Sequence, residues 1–295
     1  MGNTIALAKS YVPNLDEIYK LSSLSAVLTS DQGLARPGAK ANEIIVPKIS
    51  MDGLGDYSRT NGYAQGDVTL EWETVQFNYD RGRRFNVDVE DDEETINVAF
   101  GRLGAEFMRT KVVPEVDAFT FAKLTSKAGT NVSGTLTLGT DVTAAITAAN
   151  TEMDNAEVPA DGRILFITPD NYNKIVALQT IESRDMLGIF SQIIKVPQSR
   201  FYTAIDLLDG KTSGEEIGGY VKHVSTGAGD AAGANINFMI VHPSAVVKFS
   251  KRVVGNVIPP ELNPDADGYI MKFREYDLVD VFENKTLGVY VHSKA

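Results

Sequence analysis

Cysteine is absent from all 295 residues, which excludes disulfides, thiolate metal sites and thiol nucleophiles together. Histidine is scarce: His223, His242 and His292 are the full set, so the commonest general base and metal ligand are nearly missing. No apolar run approaches the ~18 residues of a membrane-spanning helix. Ile164 to Ile167 and Phe238 to Val241 are typical of the longest. The start, Met1-Gly2-Asn3-Thr4, shows no basic region leading into an apolar stretch, and Ala6 stands where a myristoylation signal requires Ser or Thr. Bases are outnumbered, 28 against 39 acids, for a formal net charge of −11. That argues against a broad phosphate-binding surface and leaves room only for a local basic patch. What is present, 43% hydrophobic and 23% charged residues, supplies a sizeable core and excludes disorder of the whole chain. The length suits two ordinary domains or one large elaborated one.

The motifs that would carry chemistry fail on inspection. Gly227-Ala228-Gly229-Asp230-Ala231-Ala232 fits a loose dinucleotide-binding pattern but leads into a strand, so no helix N-terminus offers amides to a pyrophosphate; the pattern predicts a surface loop. Asn263-Pro264-Asp265-Ala266-Asp267-Gly268 begins like a calcium loop, yet Arg274 occupies the place of the closing glutamate, which predicts a turn. His242 before Pro243 reads as a buried, satisfied histidine at a strand end. There is no phosphate-binding Gly-Lys loop, zinc-protease helix or nucleophile elbow. Composition and motifs give no catalytic, cofactor-binding or metal residue, and the expectation is a protein that is not an enzyme.

Periodicity gives the organisation. Residues 1–41 read as an arm with one short amphipathic helix (Leu15, Ile18, Tyr19, Leu21, Leu24), too poor in apolar residues to form its own core. Residues 42–89 read as a long β-hairpin. Ile44 to Val46 form a strand, and a glycine-rich tip follows from Asp52 to Gly66. Val68, Leu70, Trp72 and Thr74 then alternate with Thr69, Glu71 and Glu73, and Arg84 to Val89 return after an Asp80-Arg81-Gly82 turn. The acidic run Glu90-Asp91-Asp92-Glu93-Glu94 then opens the longest helical pattern, through Ile96, Phe100, Leu103 and Phe107 to Leu124 and Lys127. Thirty such residues make a rod of roughly 45 Å, which Pro114 should kink. Asp141 is expected to cap a second helix facing inward through Val142, Ile146, Ala149 and Met153; Thr168-Pro169-Asp170 should start another after a buried strand at 163–167. Ile236 to Val241 reads as a buried strand, with a short helix from Pro243. The C-terminus reads as separate strands at 269–273, 277–282 and 288–292.

This order, with four local phrases, resembles the major capsid protein of tailed bacteriophages, the Hong Kong 97-like fold. The phrases are the acidic run into a helix bearing Val116-Asp117-Ala118-Phe119; Arg163-Ile164-Leu165-Phe166-Ile167-Thr168-Pro169 with Tyr172; Ile240-Val241-His242-Pro243-Ser244-Ala245; and Asn284-Lys285-Thr286-Leu287-Gly288-Val289-Tyr290. The resemblance implies an α+β fold with N-terminal arm (1–41), extended β-hairpin loop (42–89), peripheral domain with a long spine helix (90–140), axial domain (141–264) and C-terminal strands returning to the peripheral domain (265–295). It implies a shell protein that assembles with itself, as hexamers and pentamers, into an icosahedral head around double-stranded DNA. The head forms in the bacterial host cytoplasm and locates the protein to the virion, with no membrane and no cofactor. It also implies a portal and a decoration protein. Because the chain enters the arm almost directly, a separate scaffolding protein is expected. Some relatives crosslink through lysine; Lys48 is a donor by position, but no phrase identifies an acceptor. Arg81, Arg83 and Arg84 are expected to pair with acids at a subunit boundary, Glu90, Asp91, Asp92, Glu93 and Glu94 foremost, with Trp72 at the interface on the hairpin. Two other readings stay open: an encapsulin-type compartment and a β-rich phage tail or surface binding protein.

Overall fold

The computed structural model describes residues 22–29, 36–37, 43–60, 62–90, 103–227 and 229–295. The predicted arm helix (except Leu24), Asp91 to Glu94, and the first turns of the rod at Ile96 and Phe100 lie outside these residues. Among the described residues, no helix is long and apolar enough to cross a membrane.

Strand β1 (Arg36–Pro37) edges a sheet in which β2 (Glu43–Met51) and β3 (Val68–Gln76) form an antiparallel hairpin, in register from Glu43↔Gln76 to Met51↔Val68. The predicted third strand does not belong to it. β4 (Tyr79–Asp88) runs straight through Asp80-Arg81-Gly82 and pairs with a C-terminal strand instead. Gly82 serves close packing here: a Cβ would lie 2.6 Å from the Phe273 carbonyl oxygen. Asn78, between β3 and β4, donates to the Val279 carbonyl at 2.7 Å and accepts from its N–H at 3.2 Å, pinning the hairpin base to that same strand.

The rod is α1 (Leu103–Phe107), a π turn (Met108–Val112) and α2 (Val113–Ser126). Pro114 falls in the first turn after the wide π segment. The proline's missing donor is therefore absorbed by a local change of helix type. Ala118, Phe121 and Leu124 give α2 a fully buried face.

After β5 (Thr130–Ser133) comes α3 (Gly139–Asn155), where Asp141 sits inside the first turn and accepts the Leu138 N–H at 2.8 Å. Then follow β6 (Ile164–Ile167), α4 (Pro169–Leu178, starting after Thr168 as expected), α5 (Ile181–Gly188) and β7 (Gln192–Lys195). A small hairpin of β8 (Ile205–Leu208) and β9 (Gly219–Lys222) precedes β10 (Ile236–Val241), β11 (Val246–Ile258), β12 (Gly268–Val281) and β13 (Val289–Ser293). The strands predicted at 269–273 and 277–282 are thus one strand, β12, and the sequence reading passed over β11. Past Phe249 that strand is exposed on both faces, so it lacks the alternation that marks a half-buried strand.

Two sheets organise the body. The five-stranded order is β5-β13-β10-β6-β7, and the three-stranded order is β11-β12-β4. The first is covered on both faces: Phe121 and Leu124 of α2 pack with Phe166, Met239 and Val289, while α3, α4 and α5 cover Leu165, Ile167, Phe238 and Ile240. Each fully buried large side chain there contributes ~1.5–3 kcal/mol by leaving water. A third cluster (Ile44, Val75, Val247, Phe249, Leu278) welds the hairpin base to the long sheet.

Candidate assembly surface

Beyond that weld the hairpin leaves the body. Its register stacks Pro47 opposite Trp72, Ile49 opposite Leu70 and Met51 opposite Val68, all on one face because side chains repeat every second residue. That stripe stays more than half exposed: Ile49 is 55% exposed, Met51 65%, Val68 70%, Leu70 53% and Trp72 52%. At the tip Leu54, Tyr57 and Tyr63 are exposed as well, and the two tyrosine rings stand 4.9 Å apart. Asp52 and Asp67 close the tip, the Asp67 N–H donating to Asp52 Oδ2 at 2.9 Å. The opposite face is charged, with Lys48 opposite Glu71; Lys48 Nζ reaches Glu283 at 2.7 Å, which raises the lysine pKa and lowers the glutamate's. A contiguous apolar stripe on a protruding element is a contact surface awaiting a partner.

The predicted arginines all find partners inside the chain. Arg81 Nε donates to Glu115 of α2 at 2.7 Å, where the Tyr79 hydroxyl also donates at 3.1 Å, and Arg81 Nη2 donates to the Gly219 carbonyl at 3.2 Å. Arg83 Nη2 donates to the Glu216 carbonyl at 2.9 Å. Its guanidinium lies against Gly210 and Gly218, whose φ angles are +72° and +67° and where added Cβ atoms would come within 2.5 and 3.2 Å of Nη1. Those two glycines therefore meet both a left-handed backbone and a close approach. Arg84 bonds Asn86 at 2.9 Å and Asp265 at 3.0 Å. Glu90 gives its N–H to Asp88 Oδ1 at 3.0 Å; the other four acids of the run are outside the described residues. The arginines thus fasten β4 to α2, to the β8–β9 loop and to the 263–268 turn. Trp72 lies apart from them, on the hairpin.

Sequence reasoning missed the anchor of the arm. Asp117 is fully buried and accepts from Ser23 Oγ (3.0 Å), the N–H groups of Leu24 (3.0 Å) and Ser25 (3.1 Å), Ser25 Oγ (2.7 Å) and Arg200 Nη1 (2.9 Å). Lys248 of β11 donates to Ser25 Oγ at 2.7 Å and to the Ser25 carbonyl at 3.1 Å. One signal was available: Asp117 shares a helical face with Phe121 and Leu124, so its charge falls on the buried stripe.

The other motifs resolve as structure. His242 is half-buried; its Nε2 meets the Asp161 carbonyl at 3.1 Å and its Nδ1 meets Ser244 Oγ at 2.8 Å. In the glycine loop, Asp230 accepts the Thr226 N–H at 2.9 Å and meets His223 Nε2 at 2.8 Å, while His223 Nδ1 meets Asp206 at 2.7 Å. Asn263 closes its turn by donating to the Gly268 carbonyl at 2.8 Å. A cavity of about 1100 Å³ lies between β4, the rod and the β8–β9 hairpin, with Phe85, Phe107, Tyr202 and Tyr220 in its wall. Among the described residues no group of three or more His, Asp or Glu side chains could hold a metal.

No protein-family model and no curated protein matches the chain. Solved structures do. The capsid of the cyanophage P-SCSP1u aligns with a TM-score of 0.67 and 14% identity over 98% of this chain and 93% of that one. The mature capsid of bacteriophage PhiM1 aligns at 0.70 and 11% identity over 98% and 92%. A virus-like particle from Pyrococcus furiosus aligns at 0.50 and 13% identity over 85% and 86%. From hairpin to last strand, the chain has the α+β fold of phage capsid subunits, the Hong Kong 97-like fold.

Proposed function

We propose that the protein is a structural shell subunit that assembles with copies of itself into the icosahedral head of a tailed bacteriophage. The observation that carries this reading is the uncovered apolar stripe of Ile49, Met51, Val68, Leu70 and Trp72 on a hairpin that its own chain leaves bare. A closed shell supplies every hairpin with a neighbour, which an isolated subunit cannot do. The near-full-length likeness to capsids of two phages supports the same reading. In this role residues 1–41 are the arm, the β2–β3 hairpin is the extended loop, the rod is the spine of the peripheral domain, and the five-stranded sheet with α3, α4 and α5 is the axial domain. Packaged DNA would be enclosed without sequence-specific contacts, in keeping with a net charge of −11. A scaffolding protein, a portal and a decoration protein are its proposed partners. Arg81, Arg83 and Arg84, whatever they do at subunit boundaries, first set the geometry of β4 within the subunit. The shorter likeness to the Pyrococcus furiosus particle favours, as a second reading, a shell that encloses other cargo. Sizing chromatography and electron microscopy of the purified protein, alone and with a scaffold, test the proposal. Closed particles or capsomer rings are expected; persistent monomers under all conditions would refute it.

A further inference from the structure

Beneath the arm anchor the long sheet buries more acid than base. Glu115 and Asp117 of α2 meet Glu275 and Asp277 of β12 around Arg81, Arg200 and Lys248. Two of the four carboxylates are matched directly: Glu115 by Arg81 at 2.7 Å and Asp117 by Arg200 at 2.9 Å. Lys248 directs its ammonium to Ser25. The remaining pair has no directly bonded cation among the described residues, and Lys248 acts on both from a distance. Glu275 and Asp277 lie two residues apart on one strand and so share a face, 8% and 2% exposed. Arg81 stands directly opposite Glu275 in the sheet but turns to Glu115, and Tyr79, opposite Asp277, also gives its hydroxyl to Glu115. Neither oxygen of Asp277 receives a donor from the described residues.

Two buried carboxylates side by side on one strand face are costly to keep ionised together, because each lacks water and repels the other. We infer that Glu275 and Asp277 share one proton, Glu275 carrying it and donating to the Asp277 carboxylate, so that the junction of β12, β4 and α2 is a built-in proton site. The shared proton gives one orphan oxygen its donor and, among the described residues, brings the four acids to balance with Arg81, Arg200 and Lys248. The groups facing it are Asp277 on its own strand, Lys248 on β11, Tyr79 and Arg81 on β4, and Glu115 and Asp117 on α2. In agreement, burial first and then Asp277 push the Glu275 carboxyl up to about 8, and burial lowers Lys248. The sign follows. The fold holds a proton that an unfolded chain releases near pH 4.5. The contribution of this site to stability is therefore full below that pH and falls as pH rises toward 8, by up to about tenfold in the unfolding equilibrium per pH unit. Ionisation would weaken the place where the long sheet, the rod and the arm segment meet. The free subunit already holds this proton, so the site stands or falls apart from shell assembly.

The experiment is carbon-13 NMR of the full chain, dispersed as subunits and labelled at glutamate carboxyls. One glutamate should titrate above about pH 6.5, against an ordinary midpoint near 4.3. Its resonance should vanish in Glu275→Gln, and in Asp277→Asn its midpoint should fall toward the ordinary range. Glu275→Gln keeps a donor for Asp277, so its unfolding should also lose the wild-type decline between about pH 5 and 6.5, below the range in which His223 titrates. If every glutamate titrates below about 5.5, or the high midpoint does not move in Asp277→Asn, the shared proton is refuted. Should Glu275→Gln not fold, the wild-type and Asp277→Asn titrations decide between these outcomes.

Discussion

At the scale of single residues, the chain spends its buried polar groups on attachment. Asp117 collects three side-chain and two backbone donors; four of them belong to the arm segment and leave water with their bonds satisfied, and the fifth is Arg200 of the body. Removing one partner of such a buried pair leaves the other uncompensated. Asp117→Ala should therefore cost ~3–5 kcal/mol of subunit stability, read by urea denaturation, and Arg200→Met on the same background should recover part of it. His223 makes a different kind of contact. Both ring nitrogens meet carboxylates, which only accept, so the protonated ring is the form that bonds Asp206 and Asp230 at once, and those bonds raise its pKa. A raised histidine contributes fully below its unfolded value of 6.5 and loses its effect as pH climbs through the folded value. Protection from hydrogen exchange across residues 224–233, taken relative to the intrinsic rate at each pH, should accordingly fall above neutral pH, and Asp230→Asn should abolish that fall. Pattern alone could not reveal this clasp, since the partners are 17 and 7 residues from His223 and meet only through the β8–β9 fold.

Among the elements, the hairpin and the rod were legible for different reasons. Val68, Leu70 and Trp72 alternate with Thr69 and Glu71 so regularly that the strand and its two faces could be assigned before any pairing was known. The direction of β4 was not legible, because Gly82 looks the same in a turn as at a close strand crossing; the deciding atom, the Phe273 carbonyl, is far away in sequence. For the same reason the arginines seemed bound for a neighbour, while their partners Glu115, Glu216, Gly219 and Asp265 come from distant segments of the same chain. The slot for Arg83 gives an element-level prediction. Gly210→Ala combines a strained φ with a Cβ 2.5 Å from Nη1, so it should displace the Arg83 guanidinium from its bond to Glu216 and lower the melting temperature somewhat more than Gly214→Ala. Gly214 also has positive φ, but no atom lies within 4 Å of its Cβ position. The hairpin stripe predicts the reverse. Leu70→Asp with Trp72→Asp alters residues that touch little of their own chain, so melting of the free subunit should barely change while particle yield collapses.

For the whole molecule, the described residues form a two-sheet body and a long hairpin whose apolar face belongs to no core of its own chain. The element order, read from periodicity and four short phrases, already pointed to a capsid-like fold. What sequence could not supply was which apolar residues stay uncovered, because that depends on where the body ends and the hairpin begins, at the cluster of Ile44, Val75 and Phe249. The most direct measurement is a cryo-electron microscopy reconstruction of particles assembled from the intact protein, at a resolution that shows side chains. The stripe of Ile49, Met51, Val68, Leu70 and Trp72 should lie buried against a neighbouring copy at every hairpin. Particles in which that face stays open to solvent, or purified protein that forms no particles with or without a scaffold, would contradict a shell built through the hairpin.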